Sequence, residues 1–274
     1  TASNNTAIGV SSLRANTTGS GGTAVGKGAL LSNTTGTDNT SVGSLSLDAN
    51  TTGANNAAFG HGALSENTTA SNNTGVGFYA LLSNTTASNN TAVGANALLV
   101  NTTGTRNTAL GATALDGNTT ASDNTAIGYQ ALGALSTGAA NTVLGSQALD
   151  ASTTGTENVA IGYRALSSDT KGQRNVAIGN ETLFSQNITS ATNTYNTAVG
   201  FHALYANSTG AGNTSIGGLS LDANTTGVNN VAVGRTSLSA NTTGGNNVAL
   251  GYNSAVTLTT GSNNTTLGYD TRTS

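Results

Sequence analysis

Sixteen glycines recur along this chain at an almost constant spacing, and this spacing constrains the fold more than any other feature. Of the fifteen intervals between them, fourteen are 17 residues long and one, from Gly179 to Gly200, is 21. A chain built from one repeated 17-residue unit is typical of repeat architectures, in which each unit packs on its neighbours. We number positions relative to these marker glycines, which are Gly9, Gly26, Gly43, Gly60, Gly77, Gly94, Gly111, Gly128, Gly145, Gly162, Gly179, Gly200, Gly217, Gly234, Gly251 and Gly268.

Apolar residues occupy two positions of the repeat. Position −1 is apolar in every unit and is mostly β-branched, as β-strands favour, and position +4 is Leu in fourteen of fifteen units, Ala255 being the exception. We therefore expect two short β segments, around −1 and +4, separated by glycine-containing turns. We expect −1 and +4 to point into the coil. The small residues at −2 and +3 would point out, either as a contact stripe or because they ease close stacking.

Stacking such units at about 4.8 Å, the usual spacing between strands, predicts an all-β parallel β-solenoid or β-roll of about 16 coils. Helices are excluded because Gly, Asn and Thr recur in every unit and form helices poorly. The repeat runs from end to end, so we expect one continuous solenoid domain over residues 1–274. Its one irregularity is an insertion near residues 184–195, which either reaches a partner or is a neutral bulge.

The composition excludes several classes of function. Only 7% of the residues are charged and the net charge is −3, so we expect neither nucleic-acid binding nor a polybasic membrane contact. No apolar run reaches the roughly 18 residues of a membrane span, so we expect no membrane insertion. The chain has no cysteine, and the two histidines, His61 and His202, are isolated in the sequence from any paired acidic motif. We therefore expect no enzyme activity, no metal and no cofactor.

Position +7 carries the candidate modification sites. Asn at this position starts an Asn-x-Ser/Thr acceptor pattern, which predicts a column of N-linked glycans. The alternative is an asparagine ladder, in which stacked amides hydrogen-bond between coils. The ladder accounts better for Thr137 and Thr154, which persist where the Asn is lost. The candidates, with one more in the insertion, are Asn16, Asn33, Asn50, Asn67, Asn84, Asn101, Asn118, Asn187, Asn207, Asn224 and Asn241.

Two further columns allow functional interpretations. Position +1 carries scattered aromatic residues, such as Phe78, Tyr129 and Phe201. They either fill an interface or are ordinary surface variation. Regular threonines on a flat solenoid are a hypothesis for ice binding. The paired threonines, such as Thr102 and Thr103, are adjacent, however, and so point to opposite faces.

The blocks at 158–162 and 175–179, Asn-Val-Ala-Ile-Gly in both cases, resemble the head repeats of trimeric autotransporter adhesins. The longer unit, with Ala-Leu and Asn-Thr-Thr-Gly, resembles repeat arrays of phage tail-fibre-like surface fibre proteins. These resemblances imply a parallel β-roll, assembly into trimers, and a role in surface attachment.

The ends of the chain suggest how copies would assemble. Thr1 lies at position +9 of a unit and Ser274 at +6, so the repeat would continue almost in register across two copies placed head to tail. We therefore expect a structural subunit of an extracellular fibre or filament that assembles by end-to-end stacking of coils, with lateral stacking as an option, with a trimeric adhesin or tail-fibre segment as the alternative and ice binding as a minor one. The composition, rich in Asn, Thr, Ser and Gly, indicates a location outside the cell or on a cell or virion surface.

Overall fold

The computed structural model describes residues 2–272 and shows an all-β parallel β-solenoid of about 15 coils, with 17 residues per coil. The predicted fold class is thereby confirmed, and the described residues contain no helix. The chain divides into two compact units, of which the first ends at Thr137 and the second begins at Gly138. The continuity of one domain across that boundary stays a prediction.

The first unit, up to residue 137, contains eight three-residue strands. They pair in parallel and in sequence order, with position −3 opposite −3 and −1 opposite −1. The strands are β1 (Thr6–Ile8), β2 (Thr23–Val25), β3 (Thr40–Val42), β4 (Ala57–Phe59), β5 (Thr74–Val76), β6 (Thr91–Val93), β7 (Thr108–Leu110) and β8 (Thr125–Ile127).

The second unit, from residue 138, contains eight strands of the same kind and a second, two-stranded parallel sheet made by β11 and β13 beside the insertion. The strands are β9 (Thr142–Leu144), β10 (Val159–Ile161), β11 (Gly172–Gln173), β12 (Val176–Ile178), β13 (Thr192–Asn193), β14 (Thr197–Val199), β15 (Thr214–Ile216), β16 (Val231–Val233), β17 (Val248–Leu250) and β18 (Thr265–Leu267).

The marker glycine ends each strand and explains the strict spacing. At every marker position φ lies between +127° and +150°, a conformation that residues with a side chain rarely adopt. A Cβ on Gly94 would also lie 2.4 Å from the carbonyl oxygen of Gly111 in the next coil. Both the backbone conformation and the close approach of successive coils therefore require glycine.

The predicted inward and outward positions are partly wrong. Leu98 at +4 is fully buried as expected, but so are Ala92 at −2 and Ala97 at +3, whereas Val93 at −1 is partly exposed. The same holds in the other coils except the first and the last, where Ala7 is exposed and Thr266 is partly exposed. The interior of the coil is narrow, because the strand lies close to another part of its own coil. A small side chain such as alanine therefore suits position −2, which faces inward. The larger β-branched side chain at −1 then points outward.

The predicted second β segment around +4 is also wrong, because a turn lies there instead. Leu98 has φ of +52° and Asn96, at +2, has φ of +56°. Left-handed residues end a strand and break its alternation, which is why the consecutive residues Ala97 and Leu98 can both point inward. Most other coils have Leu in the same conformation, which L-residues adopt at a cost of about 1–2 kcal/mol.

The insertion lies between Ile188 and Asn193, inside the predicted range. Ile188 is buried, while residues 189–191 and the two residues of β13 that follow them are exposed. Thr1 and Ser274, on which the predicted head-to-tail register was based, lie outside the described residues.

Candidate interaction surfaces and asparagine ladders

The asparagines at position +7 form a ladder inside the solenoid. Nδ2 of Asn101 donates to Oδ1 of Asn84 in the preceding coil at 2.9 Å, and Oδ1 of Asn101 accepts from Nδ2 of Asn118 at 2.8 Å. The same bond links each +7 asparagine to the next from Asn16 to Asn118, and again from Asn207 to Asn241. The side chains therefore bond coil to coil, as the ladder alternative predicted.

A second asparagine ladder, which the sequence analysis missed, runs along position −4. Oδ1 of Asn90 accepts from the backbone N–H of Asn107 in the next coil at 2.9 Å, and Nδ2 of Asn90 donates to the carbonyl of Gly104 at 2.8 Å. The signal was present in the sequence, since this position is Asn in fifteen of sixteen repeats and Gly22 is the exception. Both ladders satisfy backbone groups that burial would otherwise leave unpaired.

The +7 ladder is interrupted where the sequence departs from Asn. Leu135 follows Asn118 and Leu258 follows Asn241, and in both cases the buried Oδ1 of the asparagine has no hydrogen-bond partner. A buried acceptor without a donor costs about 1–3 kcal/mol. These two positions are therefore weak points of the two stacks.

Asp169 replaces Asn in the coil before the insertion and anchors the insertion. Its Oδ2 accepts from Nε2 of Gln186 at 2.7 Å, and its Oδ1 accepts from the backbone N–H groups of Gly172 and Ile188, both at 3.1 Å. Oε1 of Gln186 in turn accepts from Nδ2 of Asn207 at 3.3 Å, so the longer side chain joins the ladder across the enlarged coil. Burial raises the pKa of the Asp169 carboxyl, and these hydrogen bonds oppose that rise.

The structure places the eleven candidate glycosylation sites in very different surroundings. Asn187 is exposed in the insertion and Asn16 is half-buried, while the other nine are buried in the ladder. A glycan bonded to Nδ2 replaces one of its two hydrogens, so this nitrogen would lose at least one of the two hydrogen bonds that it donates, for example from Asn33 to Asn16 and to Gly36. Glycosylation stays a prediction for all eleven, and at the nine buried sites it is incompatible with the ladder as folded.

The outward side chains of the sixteen solenoid strands form a regular surface, which we call the strand face. It consists of positions −3 and −1. Position −3 is Thr in most strands and Val or Ala in the rest, and position −1 is Val, Ile, Leu or Phe. None of these 32 side chains is charged, and Leu110 and Leu144 are each 45% exposed. The strand face, rather than the alanine columns, is therefore the outward apolar stripe of each unit.

The charged residues lie on other columns of the coil, and several pair between coils. At position −5, Arg106 forms a bidentate ion pair with Asp123, with N···O distances of 2.6 and 2.9 Å, which lowers the pKa of the Asp123 carboxyl. Partial burial instead raises the pKa of three carboxyls at position +5, those of Asp116, Asp150 and Asp222.

The densest group of aromatic and charged side chains spans three coils of the second unit. The rings of Phe184 and Tyr205 stack with centroids 5.2 Å apart, and the Arg164 guanidinium lies 4.6 Å from the Phe184 centroid. Nε2 of His202 lies 2.9 Å from Oε2 of Glu181, so the expectation that His202 is isolated is wrong. These side chains contact each other from coil to coil, and their contacts stabilise the enlarged coil next to the insertion.

The aromatics at position +1 lie on the surface. Phe78, Tyr129, Tyr163 and Phe201 are all exposed, which agrees with both interpretations of this column. The His61 ring stacks on Phe78, with centroids 5.6 Å apart.

Within residues 2–272, no three His, Asp or Glu side chains come together to hold a metal ion, and no pocket opens in the surface. The same residues include no helix that is long and apolar enough to cross a membrane. Comparison with protein-family models, with curated proteins and with solved structures gave no match.

Proposed function

We propose that this chain is a structural subunit of an extracellular fibre or filament, in which the coils of successive copies stack end to end. The observation that carries the proposal is the repeated contact between coils. Most coils offer to the next the same strand edge, the same asparagine amides and the same threonine hydroxyl, as when Oγ1 of Thr102 donates to the carbonyl of Thr119 at 3.0 Å. A contact of this kind is head-to-tail, and repetition of a head-to-tail contact generates an open filament.

The first strand offers the edge that such stacking needs. The N–H of Thr6 donates to the carbonyl of Gly22 in the second coil, and the carbonyl of Ile8 accepts from the N–H of Gly26, each at 2.8 Å. In a parallel pair, residues alternate in the direction of their backbone groups, so the N–H and C=O of Ala7 face away from β2. Among the described residues no strand pairs with that edge of β1. The edge of a strand pairs with any further coil of the same repeat, and in the proposed fibre a coil of another copy supplies that strand.

The test is Ala7→Pro examined by electron microscopy of the purified protein. Proline removes the N–H that faces the open edge and leaves the bonds of Thr6 and Ile8 to β2 in place. We expect filaments from the wild-type chain and discrete particles from A7P. Wild-type chains that stay as discrete particles at every concentration would refute end-to-end assembly.

Cysteine cross-linking tests the direction of stacking, because the chain has no cysteine of its own. Asn4 and Asn263 share position −5 in the first and last described coils, and both are exposed. In a head-to-tail contact they lie at equivalent positions of neighbouring coils about 4.8 Å apart, within the range that a disulfide spans. A mixture of N4C and N263C should form disulfide-linked pairs, whereas N4C mixed with N89C should not.

A trimeric adhesin or tail-fibre segment is the second candidate. The exposed, uncharged strand face favours it, because side-by-side assembly of solenoids needs such a surface. Discrete short particles three chains thick would support this candidate over the filament.

A further inference from the structure

We infer that the strand face is a side-by-side contact surface and that its partner is a second copy of this chain. The inference rests on the proposed structural role, to which it adds lateral association. The face combines three properties that surfaces in contact with solvent alone seldom share, namely regularity, exposed aliphatic side chains and a complete lack of charge.

The side chains of the face are exposed although they are aliphatic. Ile216 is 41% exposed, and Leu110, Leu144 and Leu250 are each 45% exposed. Every arginine, lysine, aspartate and glutamate of the chain lies at some other position of the repeat. In a chain whose remaining outward columns carry charges or polar groups, such a stripe indicates a surface that is covered in the assembled state.

The face of one unit is already large for an exposed apolar surface. A three-residue strand is about 10 Å long and its neighbour is about 4.8 Å away, so the eight strands of one unit present roughly 380 Å². Monomeric proteins rarely expose contiguous apolar patches larger than a few hundred Å², and larger patches mark contact surfaces.

The regular spacing of the rows favours a second copy over an unrelated partner. Val93 lies in register with Leu110, and Thr91 with Thr108, and each strand repeats this arrangement. Side chains of one face can enter the gaps between the rows of another only if both faces keep the same spacing along their whole length. A second copy satisfies this condition, and two uncharged faces meet without charge repulsion.

Every chain in the test carries Ala7→Pro, which is designed to block end-to-end stacking, so only lateral association contributes to the measured mass. The mass is measured by light scattering after size-exclusion chromatography. Val93→Lys with Leu110→Lys places two charges on the strand face. Asn72→Lys with Asn89→Lys places two charges at position −5, where Arg106 is already tolerated in the same backbone conformation. Circular dichroism of each variant checks that the outward substitutions leave the fold intact.

We expect the A7P chain to show a multiple of 26.7 kDa, V93K/L110K to reduce it to one copy, and N72K/N89K to leave it unchanged. A monomeric A7P chain at about 1 mM, where weak contacts of ~4 kcal/mol would form, overturns the inference. So does an unchanged mass of V93K/L110K. Thermal hysteresis of a monomeric chain, abolished by V93K/L110K, would instead assign the face to ice. The cross-linking of N4C with N263C tests end-to-end stacking and does not alter the strand face. A failure of stacking is therefore seen in the cross-linking, and a failure of lateral association is seen in the mass.

Discussion

Asn90 and Asn101 donate to the same acceptor, the carbonyl oxygen of Gly104, through their Nδ2 atoms at 2.8 and 2.9 Å. The two ladders therefore meet on one backbone carbonyl, as they also do at Gly53 and at Gly227. Both amides are fully buried. A change at either asparagine leaves groups of two coils without partners, and this property makes the ladders sensitive to small chemical changes.

Asn101→Asp should destabilise the protein by roughly 3–5 kcal/mol at neutral pH, because it puts an unpaired charge in the interior. The carboxylate would face Oδ1 of Asn84 and the carbonyl of Gly104. In the wild-type protein both of these oxygens accept a hydrogen bond from Nδ2 of Asn101. Urea unfolding followed by circular dichroism measures the loss. Asn96→Asp, at a half-exposed turn position, is the matched control and should change the free energy of unfolding by less than about 0.5 kcal/mol.

Gly94→Ala should cost about 3 kcal/mol or more, because φ is +139° and the new Cβ would meet the carbonyl of Gly111. Gly28→Asn serves as control, since φ of Gly28 is +69° and Asn96 occupies the same repeat position with φ of +56°. The control should change stability by less than about 1 kcal/mol. Equal thermal melting temperatures for the two variants would contradict the requirement for glycine at the marker position.

Leu98→Ala should destabilise the protein by about 2–5 kcal/mol, as expected for a cavity left by a fully buried leucine. Leu99→Ala makes the same chemical change at the next residue, which is only half-buried. It should cost no more than about 1 kcal/mol. A larger loss from L99A than from L98A, in denaturant unfolding, would refute the assignment of position +4 to the interior.

Asp169 should make stability depend on pH. Because burial raises its pKa in the folded chain, the folded state binds the proton more tightly than the unfolded state. Its contribution is therefore complete below the ordinary Asp pKa of about 3.9 and is lost as the pH rises through the raised value. The melting temperature of the wild-type chain minus that of D169N should increase as the pH falls through this range.

Asp123→Asn is the control of opposite sign. Arg106 lowers the pKa of Asp123, so the corresponding difference between wild type and D123N should decrease as the pH falls through the lowered value. The Asp123 effect should be small because the pair is exposed and screened by solvent. A difference for D169N that is constant with pH would show that Asp169 does not titrate differently in the two states.

In a host that attaches N-linked glycans, we expect the folded protein to carry one at Asn187 and at none of the nine buried candidates. The buried Nδ2 atoms are committed to the ladder, as from Asn101 to Asn84, whereas Asn187 is exposed. Mass spectrometry of peptides before and after glycosidase treatment locates the glycans. A glycan at Asn101 in folded protein would contradict this expectation, and N187Q should remove the glycan without loss of stability.

The repeat in the sequence was sufficient to predict the solenoid, because a fixed 17-residue period has few other physical solutions. It did not settle which side of the strand faces inward. Alternation predicts only that Ala92 and Val93 differ in direction. A general preference for large apolar residues inside favours Val93, but the structure buries Ala92. The small residue found at −2 in most units, with Val143 and Thr266 as exceptions, was the available signal, since −1 varies from Val to Phe.

The interior asparagines show a second limit of reasoning from the sequence. Asn101 could be recognised as part of a ladder or of an acceptor motif, and only the hydrogen bonds distinguish the two. Asn90 was not recognised at all, because asparagine is normally expected at the surface and in turns. Its role depends on the carbonyl of Gly104, fourteen residues further along the chain, which lies beside it only after the coils have stacked.

The direction of the ladder bonds has a consequence for the evolution of the chain. Because each amide donates to the preceding coil and accepts from the following one, one coil can be removed or duplicated and its neighbours still find identical partners. The length of the protein can therefore change by whole 17-residue steps through recombination within its gene, at little cost in folding. A change of one or two residues would instead misalign the glycines and both ladders in the coil that carries it.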